Sequence, residues 1–108
     1  MNFYIIYPSE LGPYMQKDKI VLVDIRNRQE YMKSHWPGAI NMEEKEIKNI
    51  ESFLRKMPQK LVAVFYCTHG GTSMRLARQL AKKGYMVGTV IGGYEKMKEI
   101  QKNYFKNL

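Results

Sequence analysis

The sequence has little cysteine, a shortage of acidic residues and no long apolar run. Its 108 residues include one cysteine, so an internal disulfide is impossible and nothing indicates an oxidising compartment. Without a second thiol, any sulfur chemistry needs an outside acceptor. No apolar run has membrane-spanning length, and residues 3–7 are too short for the core of a secretory signal. We therefore expect a cytoplasmic protein that does not contact a membrane.

Acidic residues are outnumbered, because 10 Asp and Glu stand against 18 Lys and Arg, for a formal net charge of +8. Such a charge draws anionic small substrates toward the protein. Lysines scattered over helices also give a basic surface that is simply solvated. Nucleic-acid binding would need a known motif or a basic stripe with interleaved aromatics, and the sequence shows neither. We therefore expect no nucleic-acid partner.

Short apolar runs alternate with segments of helical periodicity. The apolar runs cover residues 3–7, 20–25, 61–66 and 86–91. The second and third are nearly continuous, which is typical of strands buried on both faces of a parallel sheet. Helical spacing of apolar residues predicts helices over residues 43–57, 73–83 and 94–105. This order favours a single α/β domain over residues 1–108, with a mainly parallel central sheet and helices on both faces.

Cys67 is the strongest candidate for chemistry, because it follows a buried strand and precedes a glycine-bearing loop that leads into a helix. Gly70 and Gly71 allow successive backbone N–H groups to point inward and bind an anion. The helix, expected to begin near Ser73, adds unpaired N–H groups and the positive end of its dipole. A thiol placed there is held as the nucleophilic thiolate. A lone cysteine at a strand end is otherwise a small buried hydrophobe.

Two arginines near this helix start allow two interpretations. With Ser73 as the N-cap, Arg75 falls at the second helical position, where a cation opposes the helix dipole by roughly 0.3–1 kcal/mol. An anion bound at the helix start would offset that cost. Alternatively, the arginine side chain extends into solvent and the cost is tolerated. Both interpretations stay open for Arg75, and solvent exposure is favoured for Arg78.

Three stretches together resemble the rhodanese-like family. The residues Asp24 and Arg26, Glu30 and Tyr31, and the segment 35–41 are similar to its Asp-x-Arg, Glu-aromatic and Gly-His-Ile-Pro-Gly-Ala-x-Asn signature. Residues 67–73 lie where the family has its active-site loop, and residues 91–94 resemble its closing Gly-Gly-aromatic turn. The loop is similar to the Cys-x-His-Gly-x-Ser type of short thiosulfate sulfurtransferases.

The resemblance implies a two-step reaction on Cys67. The thiolate takes a sulfane sulfur from a small anionic donor such as thiosulfate, sulfite leaves, and a persulfide remains. A thiol, cyanide or a protein acceptor then removes the outer sulfur. No metal and no organic cofactor is implied. The expected substrate-binding residues are Thr68, His69, Gly70, Gly71, Thr72, Ser73 and Arg75.

The sequence departs from the family pattern in the loop. Many members have arginine directly after the cysteine or at the loop end, where this chain has Thr68 and Thr72. Backbone N–H groups and basic residues outside the loop would then have to bind the negative charge of the substrate. His69 could add positive potential when protonated, or point outward while its N–H group acts.

Asp24 and Arg26 are expected to support the site rather than to react. Asp24 ends a buried strand, and a buried carboxylate needs hydrogen bonds from nearby backbone or arginine. Its expected role is therefore mainly structural. Arg26 could attract anions, but an ion pair with Asp24 or Glu30 is favoured.

Two competing functions follow from the same residues. A cysteine phosphatase or arsenate reductase would need Cys-x5-Arg, so that the arginine donates a bidentate pair of hydrogen bonds to the oxyanion. Ser73 occupies that position and Arg75 comes two residues too late, which disfavours this chemistry. Rhodanese-like domains can also serve as partner-binding modules, although the presence of Cys67 argues against an inactive module. A non-enzymatic sulfur relay to a specific partner stays open.

Overall fold

The computed structural model describes residues 3–104. Its strands form one five-stranded sheet with the order β1-β5-β4-β2-β3. Every pairing between neighbouring strands is parallel, so the predicted mainly parallel sheet is confirmed. The strands are β1 (Phe3–Ile6), β2 (Ile20–Asp24), β3 (Ile40–Asn41), β4 (Val62–Tyr66) and β5 (Val87–Val90).

The near-continuous apolar runs form strands buried on both faces, as predicted, and both strands lie in the interior of the sheet. Leu22 and Val23 of β2, and Val64 and Phe65 of β4, are at most 1% exposed. Side chains alternate between the two faces of a strand, so such burial requires cover on both faces. Because β4 is the middle strand, the residue that follows it, Cys67, leaves the sheet at its centre.

Helices cover both faces of the sheet, which confirms the predicted layered architecture. The helices are α1 (Leu11–Gln16), α2 (Arg28–Lys33), α3 (Ile47–Lys56), α4 (Gly71–Lys82) and α5 (Gly93–Tyr104), and a 3₁₀ turn (Pro8–Glu10) precedes α1. One face packs against α3 and α4 through Ile50, Leu54, Leu76 and Leu80. The other face packs against α1 and α5 through Leu11, Tyr94 and Met97.

Two predicted helix starts were wrong. Helix α3 begins at Ile47 rather than at residue 43, because Glu43 and Glu46 form a turn in which the Glu46 carboxylate accepts the Glu43 N–H at 2.8 Å. Helix α4 begins at Gly71 and its N-cap is Gly70, not Ser73. Ser73 lies inside the first turn, where its hydroxyl donates to the Gly70 carbonyl oxygen at 3.2 Å.

The short elements α1, α2 and β3 were not predicted, since six-residue helices and a two-residue strand carry little periodic signal. Residue 105, the predicted end of α5, lies outside the described residues. None of the helices within residues 3–104 combines the length and the apolar character needed to cross a lipid bilayer.

Candidate active site

The sulfur of Cys67 lies at the start of α4 and accepts two backbone hydrogen bonds. The Gly70 N–H donates at 3.1 Å and the Ser73 N–H at 3.3 Å. The N–H groups in the first turn of a helix have no intrahelical partner, so the Ser73 N–H is available to the sulfur. Both donors, together with the positive end of the α4 dipole, stabilise negative charge on the sulfur. Cys67 is 8% exposed.

Glycine is required at two positions around this loop. Gly70 has φ of +100°, a left-handed conformation that turns its N–H group toward the sulfur, and a Cβ there would lie 3.1 Å from the Gly92 nitrogen. Gly93 has φ of +63°, and its Cβ would lie 2.5 Å from the Cys67 carbonyl oxygen and 2.6 Å from that of Thr68. The Gly92–Gly93 turn therefore packs directly against the cysteine loop.

The start of α5 fixes the carbonyl groups of the loop. The Tyr94 N–H donates to the Cys67 carbonyl at 2.8 Å, and the Glu95 N–H donates to the Thr68 carbonyl at 3.0 Å. Backbone N–H groups of α5 thus bind loop carbonyls, whereas those at the start of α4 bind the sulfur. Since a peptide plane is rigid, fixing its carbonyl also fixes the direction of the following N–H group. The two helix starts together orient the loop.

A pair of buried hydroxyls lies beneath the sulfur. Ser73 and Thr89 are both 0% exposed, and their hydroxyl oxygens are 2.7 Å apart. The Ser73 hydroxyl is also 3.5 Å from the Cys67 Sγ. Thr89 comes from β5 and lies opposite Phe65 of β4. The sequence analysis missed Thr89, although a single hydroxyl residue within the apolar strand Val87–Val90 was a usable signal.

The remaining predicted loop residues differ in exposure, and their side chains do not hydrogen-bond to the sulfur within residues 3–104. Thr68 and Thr72 are half-buried, and His69 and Gly71 are exposed. Within residues 3–104, no hydrogen bond joins the side chain of Thr68, His69 or Thr72 to the Cys67 sulfur. Any contribution of these residues to substrate binding must come from their backbone N–H groups or from their position around the loop.

Arg75 lies outside the first turn of α4. Because α4 begins at Gly71, Arg75 is its fifth residue, and the predicted second helical position was wrong. The helix dipole acts mainly within the first turn, so the argument from an opposed dipole no longer applies. The side chain is exposed and borders a cavity of about 220 Å³, lined also by Glu44, Ile47, Thr72, Leu76 and Gln79.

Asp24 and Arg26 form a buried ion pair, as favoured from the sequence. The Arg26 Nη2 donates to the Asp24 carboxylate at 2.8 Å and to the Ser34 carbonyl at 2.6 Å. Burial lowers the pKa of Arg26, but the hydrogen bond and charge of Asp24 outweigh it and raise the pKa overall. The guanidinium lies 4.3 Å from the centre of the Tyr94 ring.

This ion pair and the sulfur are on opposite faces of the sheet. Asp24 alternates with Val23, which packs with Cys67 on the α3–α4 face. Arg26 instead stacks on Tyr66 and Tyr94, which belong to the α1–α5 face. The structure therefore does not bring Asp24 and Arg26 to the reacting atom, and places them beneath the start of α5.

Tyr66, directly before Cys67, anchors this second face. Its hydroxyl accepts the Trp36 N–H at 3.2 Å, and its ring stacks on Tyr94 with 5.7 Å between centroids. Burial raises the pKa of Tyr66 far above its ordinary value, and the charge of Asp24 raises it further. The phenol therefore stays protonated and holds the end of β4 in place.

No metal site accompanies these groups in the described part of the chain, where no three His, Cys, Asp or Glu side chains are grouped to hold an ion. The chemistry available from residues 3–104 is that of one cysteine sulfur that accepts hydrogen bonds from two backbone N–H groups. Such a site can attack an electrophilic sulfur and hold the anionic product.

Comparisons with known proteins show which family this chain resembles in sequence and in fold. The family model of the rhodanese-like domain covers residues 7–100. The thiosulfate sulfurtransferase GlpE of Coxiella burnetii is 27% identical over 90 residues, which cover 82% of this chain and 81% of that protein. A tRNA sulfurtransferase of Desulfurococcus amylolyticus is 34% identical over 73 residues, 68% of this chain but only 14% of that protein.

A solved structure extends the comparison to the fold. The rhodanese-related protein of Thermoplasma volcanium superimposes with a TM-score of 0.75 at 19% identity, over 88% of this chain and 90% of the other. The likeness at this identity concerns the fold, which is the single α/β domain with a parallel sheet described above. With the family model matching residues 7–100, this chain belongs to the rhodanese-like domain family.

Proposed function

We propose that this chain is a sulfurtransferase that carries a sulfane sulfur as a persulfide on Cys67. The donor is a small anionic sulfur compound such as thiosulfate, and the acceptor is a thiol, cyanide or a protein. The observation that carries the proposal is the pair of hydrogen bonds from Gly70 and Ser73 to the Cys67 sulfur. Membership of the family and the sulfurtransferase names of the relatives support it.

In the first step the Cys67 thiolate attacks the outer sulfur of thiosulfate. The bond between that sulfur and the sulfite sulfur breaks, and its electron pair leaves with sulfite. The product is the Cys67 persulfide anion, so total charge is conserved and no proton is needed. The N–H groups of Gly70 and Ser73 hold the attacking thiolate at the start of α4.

In the second step an acceptor attacks the outer sulfur of the persulfide. With cyanide, the sulfur–sulfur bond breaks, thiocyanate leaves, and the Cys67 thiolate is restored. Between the two steps the outer sulfur carries the negative charge. We assign its stabilisation to the backbone N–H groups of residues 68–73, of which those of Gly70 and Ser73 donate to the Cys67 sulfur.

Recognition of the donor charge falls to a cation beyond the loop and to His69 within it. Thr68 and Thr72 carry no charge, so Arg75, one turn into α4 and near Thr72, is the proposed attracting cation. The exposed His69 adds to this field when protonated. Asp24 and Arg26 act from the other face, where they position the loop through Tyr66 and Tyr94.

Cysteine phosphatase chemistry gains no support from the site. The position that would hold the oxyanion-binding arginine is Ser73, which is buried with its hydroxyl on Gly70 and Thr89. A free thiol that works without a partner cysteine suits a reducing compartment, so a cytoplasmic location is part of the proposal.

Intact-mass measurement after thiosulfate treatment tests the proposal. Wild type gains one sulfur atom, and subsequent cyanide removes it as thiocyanate, whereas Cys67→Ser gains none. Sulfur gained only from a persulfidated donor protein indicates a relay in place of an enzyme. No gain from thiosulfate, polysulfide or a donor protein overturns sulfur transfer on Cys67 and leaves a binding module.

A further inference from the structure

A row of exposed cations leads from the cysteine loop along one face of α4. Arg75, Arg78 and Lys82 are exposed and follow one another at spacings of three and four residues, so they share one face of the helix. We call these three residues the α4 cation row. They border one open cavity of about 580 Å³, lined also by Gly71, Met74 and Gln79.

No carboxylate within residues 3–104 forms an ion pair with the row. The ion pairs there use Arg26, Lys45, Lys83 and Lys98 instead. Lys83 shows the contrast, because it directly follows Lys82 and binds Glu51 at 3.1 Å. Glu44 is the acidic side chain that shares a neighbouring cavity with Arg75, and it forms no ion pair with it.

The row is also unfavourable within its own helix. Like charges three and four residues apart repel one another, and both spacings occur between Arg75, Arg78 and Lys82. An acidic residue at any intervening exposed position would relieve the repulsion, but α4 contains none. An anionic surface of another molecule would also relieve the repulsion, which points to a negatively charged partner.

The row begins near the reacting group, since Arg75 is two residues beyond Ser73. Gly71, the first residue of α4, lines the row's cavity and lies two residues before Ser73, whose N–H binds the sulfur. At a rise of 1.5 Å per residue, the row extends about 10 Å along α4 from Arg75 to Lys82. A small donor anion needs one cation near the loop, whereas two further cations that lead away from the loop suit the larger surface of a macromolecule.

We propose that the α4 cation row docks an acidic surface of a protein sulfur acceptor, whose thiolate then takes the sulfur from Cys67. This inference rests on the proposed function. The Cys67 persulfide anion first takes a proton from water, and the acceptor thiolate then attacks its outer sulfur; a new sulfur–sulfur bond forms, and the old one breaks to leave the Cys67 thiolate. The acceptor leaves as a persulfide with the proton on its outer sulfur, so atoms and charge balance without an added oxidant.

A nucleic acid fits the row less well than an acidic protein. Binding to phosphates alone uses roughly 6–10 contacts, and binding to single strands adds aromatic side chains on which bases stack. The row has three cations, and the other residues lining its cavity, Gly71, Met74 and Gln79, include no aromatic.

The test compares wild type with Arg78→Gln/Lys82→Gln, in which Arg75 and the loop are intact. The matched control is Lys17→Gln/Lys19→Gln, which removes the same charge from two exposed lysines next to the amino end of β2, opposite the loop. Each protein is first converted to its persulfide, which intact mass verifies. Transfer rates are then measured to three acceptors: a cysteine–glutamate peptide, a cysteine–lysine peptide and 2-mercaptoethanol.

The row variant should transfer sulfur to the acidic peptide about five- to tenfold more slowly at low salt, and the control should match wild type. Added salt should remove the difference, and 2-mercaptoethanol should react equally with all three proteins. Equal rates with the acidic peptide, or an equal loss in the control, overturn the docking surface. Unfractionated tRNA that inhibits wild type far more than polyglutamate does, and spares the row variant, also overturns it in favour of RNA.

A second measurement keeps docking separate from catalysis. A fluorescent acidic peptide with serine in place of cysteine should bind wild type and the control alike, and the row variant several-fold more weakly. If wild type fails to form a persulfide, that result counts against the proposed function alone. The binding assay needs no persulfide, so it still shows whether the row binds an acidic surface. Equal binding by all three proteins contradicts the docking surface.

Discussion

The hydroxyls of Ser73 and Thr89 are 2.7 Å apart at a point where both side chains are fully buried. Ser73 has one hydroxyl proton, which it donates to the Gly70 carbonyl. Its oxygen is therefore free to accept the proton of Thr89. When the Cys67 thiol ionises, the Ser73 proton can turn to the sulfur, 3.5 Å away, while Thr89 still donates to Ser73. We therefore expect Thr89 to act as a positioning residue for the sulfur site.

Thr89→Val should test this arrangement, because valine keeps the shape of threonine and removes the hydroxyl. We expect turnover to thiocyanate to fall about two- to tenfold, the equivalent of one hydrogen bond, with KM for thiosulfate unchanged. The free energy of unfolding should fall by about 1 kcal/mol. Thr89→Ser should restore turnover. Lost stability with unchanged turnover would assign Thr89 to packing alone.

Gly93→Ala should displace the cysteine loop. The new methyl group would lie 2.5 Å from the Cys67 carbonyl oxygen, in a backbone conformation that already disfavours alanine. Gly84→Ala is the matched control, since Gly84 has φ of +97° and open space around its Cβ. Both variants should lose about 1–2 kcal/mol from the left-handed backbone. Gly93→Ala alone should also lose most of its persulfide yield, measured by intact mass, and equal yields would contradict the role of the Gly92–Gly93 turn.

Asp24→Asn should destabilise the fold strongly. Asp24 is 0% exposed and the Arg26 side chain 7% exposed, so the substitution leaves a buried cation without its counterion. The expected loss in urea unfolding is about 3–5 kcal/mol. Glu51→Gln, which breaks the exposed pair with Lys83, should cost clearly less. Similar losses in the two variants would show that the buried ion pair contributes no more to the free energy of unfolding than the exposed one.

The sheet could be predicted from the sequence because its cause is local. Val64 and Phe65 point to opposite faces and both are 0% exposed. Burial on both faces requires apolar residues at successive positions, so the sequence of β4 is a continuous apolar run. The cysteine loop could be located for a similar reason, since a strand end, two glycines and a helix are adjacent in the chain.

The details of the site could not be predicted, because contacts distant in sequence decide them. Ser73 is a residue type that commonly caps helices, but Gly70 takes that position under the Gly92–Gly93 turn. Thr89 meets Ser73 from 16 residues away, across a strand pairing that periodicity does not reveal. The fold follows from patterns along the chain, whereas the orientation of the loop follows from the start of α5.

Tyr66→Phe should change the pH dependence of stability in alkaline solution. A tyrosine in the unfolded chain ionises near pH 10, whereas burial and Asp24 keep Tyr66 protonated in the folded protein well above that pH. The folded state then binds more protons, so this contribution to the free energy of unfolding is complete below about pH 10 and falls as pH rises, by up to about 1.4 kcal/mol per pH unit.

Phenylalanine at position 66 removes this pH-dependent contribution, and the other tyrosines are common to both proteins. Urea unfolding between pH 8 and 11 should therefore show wild type more stable at pH 8, through the hydrogen bond with Trp36, and the two curves converging above pH 10. Parallel curves over this range would mean that Tyr66 ionises as freely in the folded protein as in the unfolded chain.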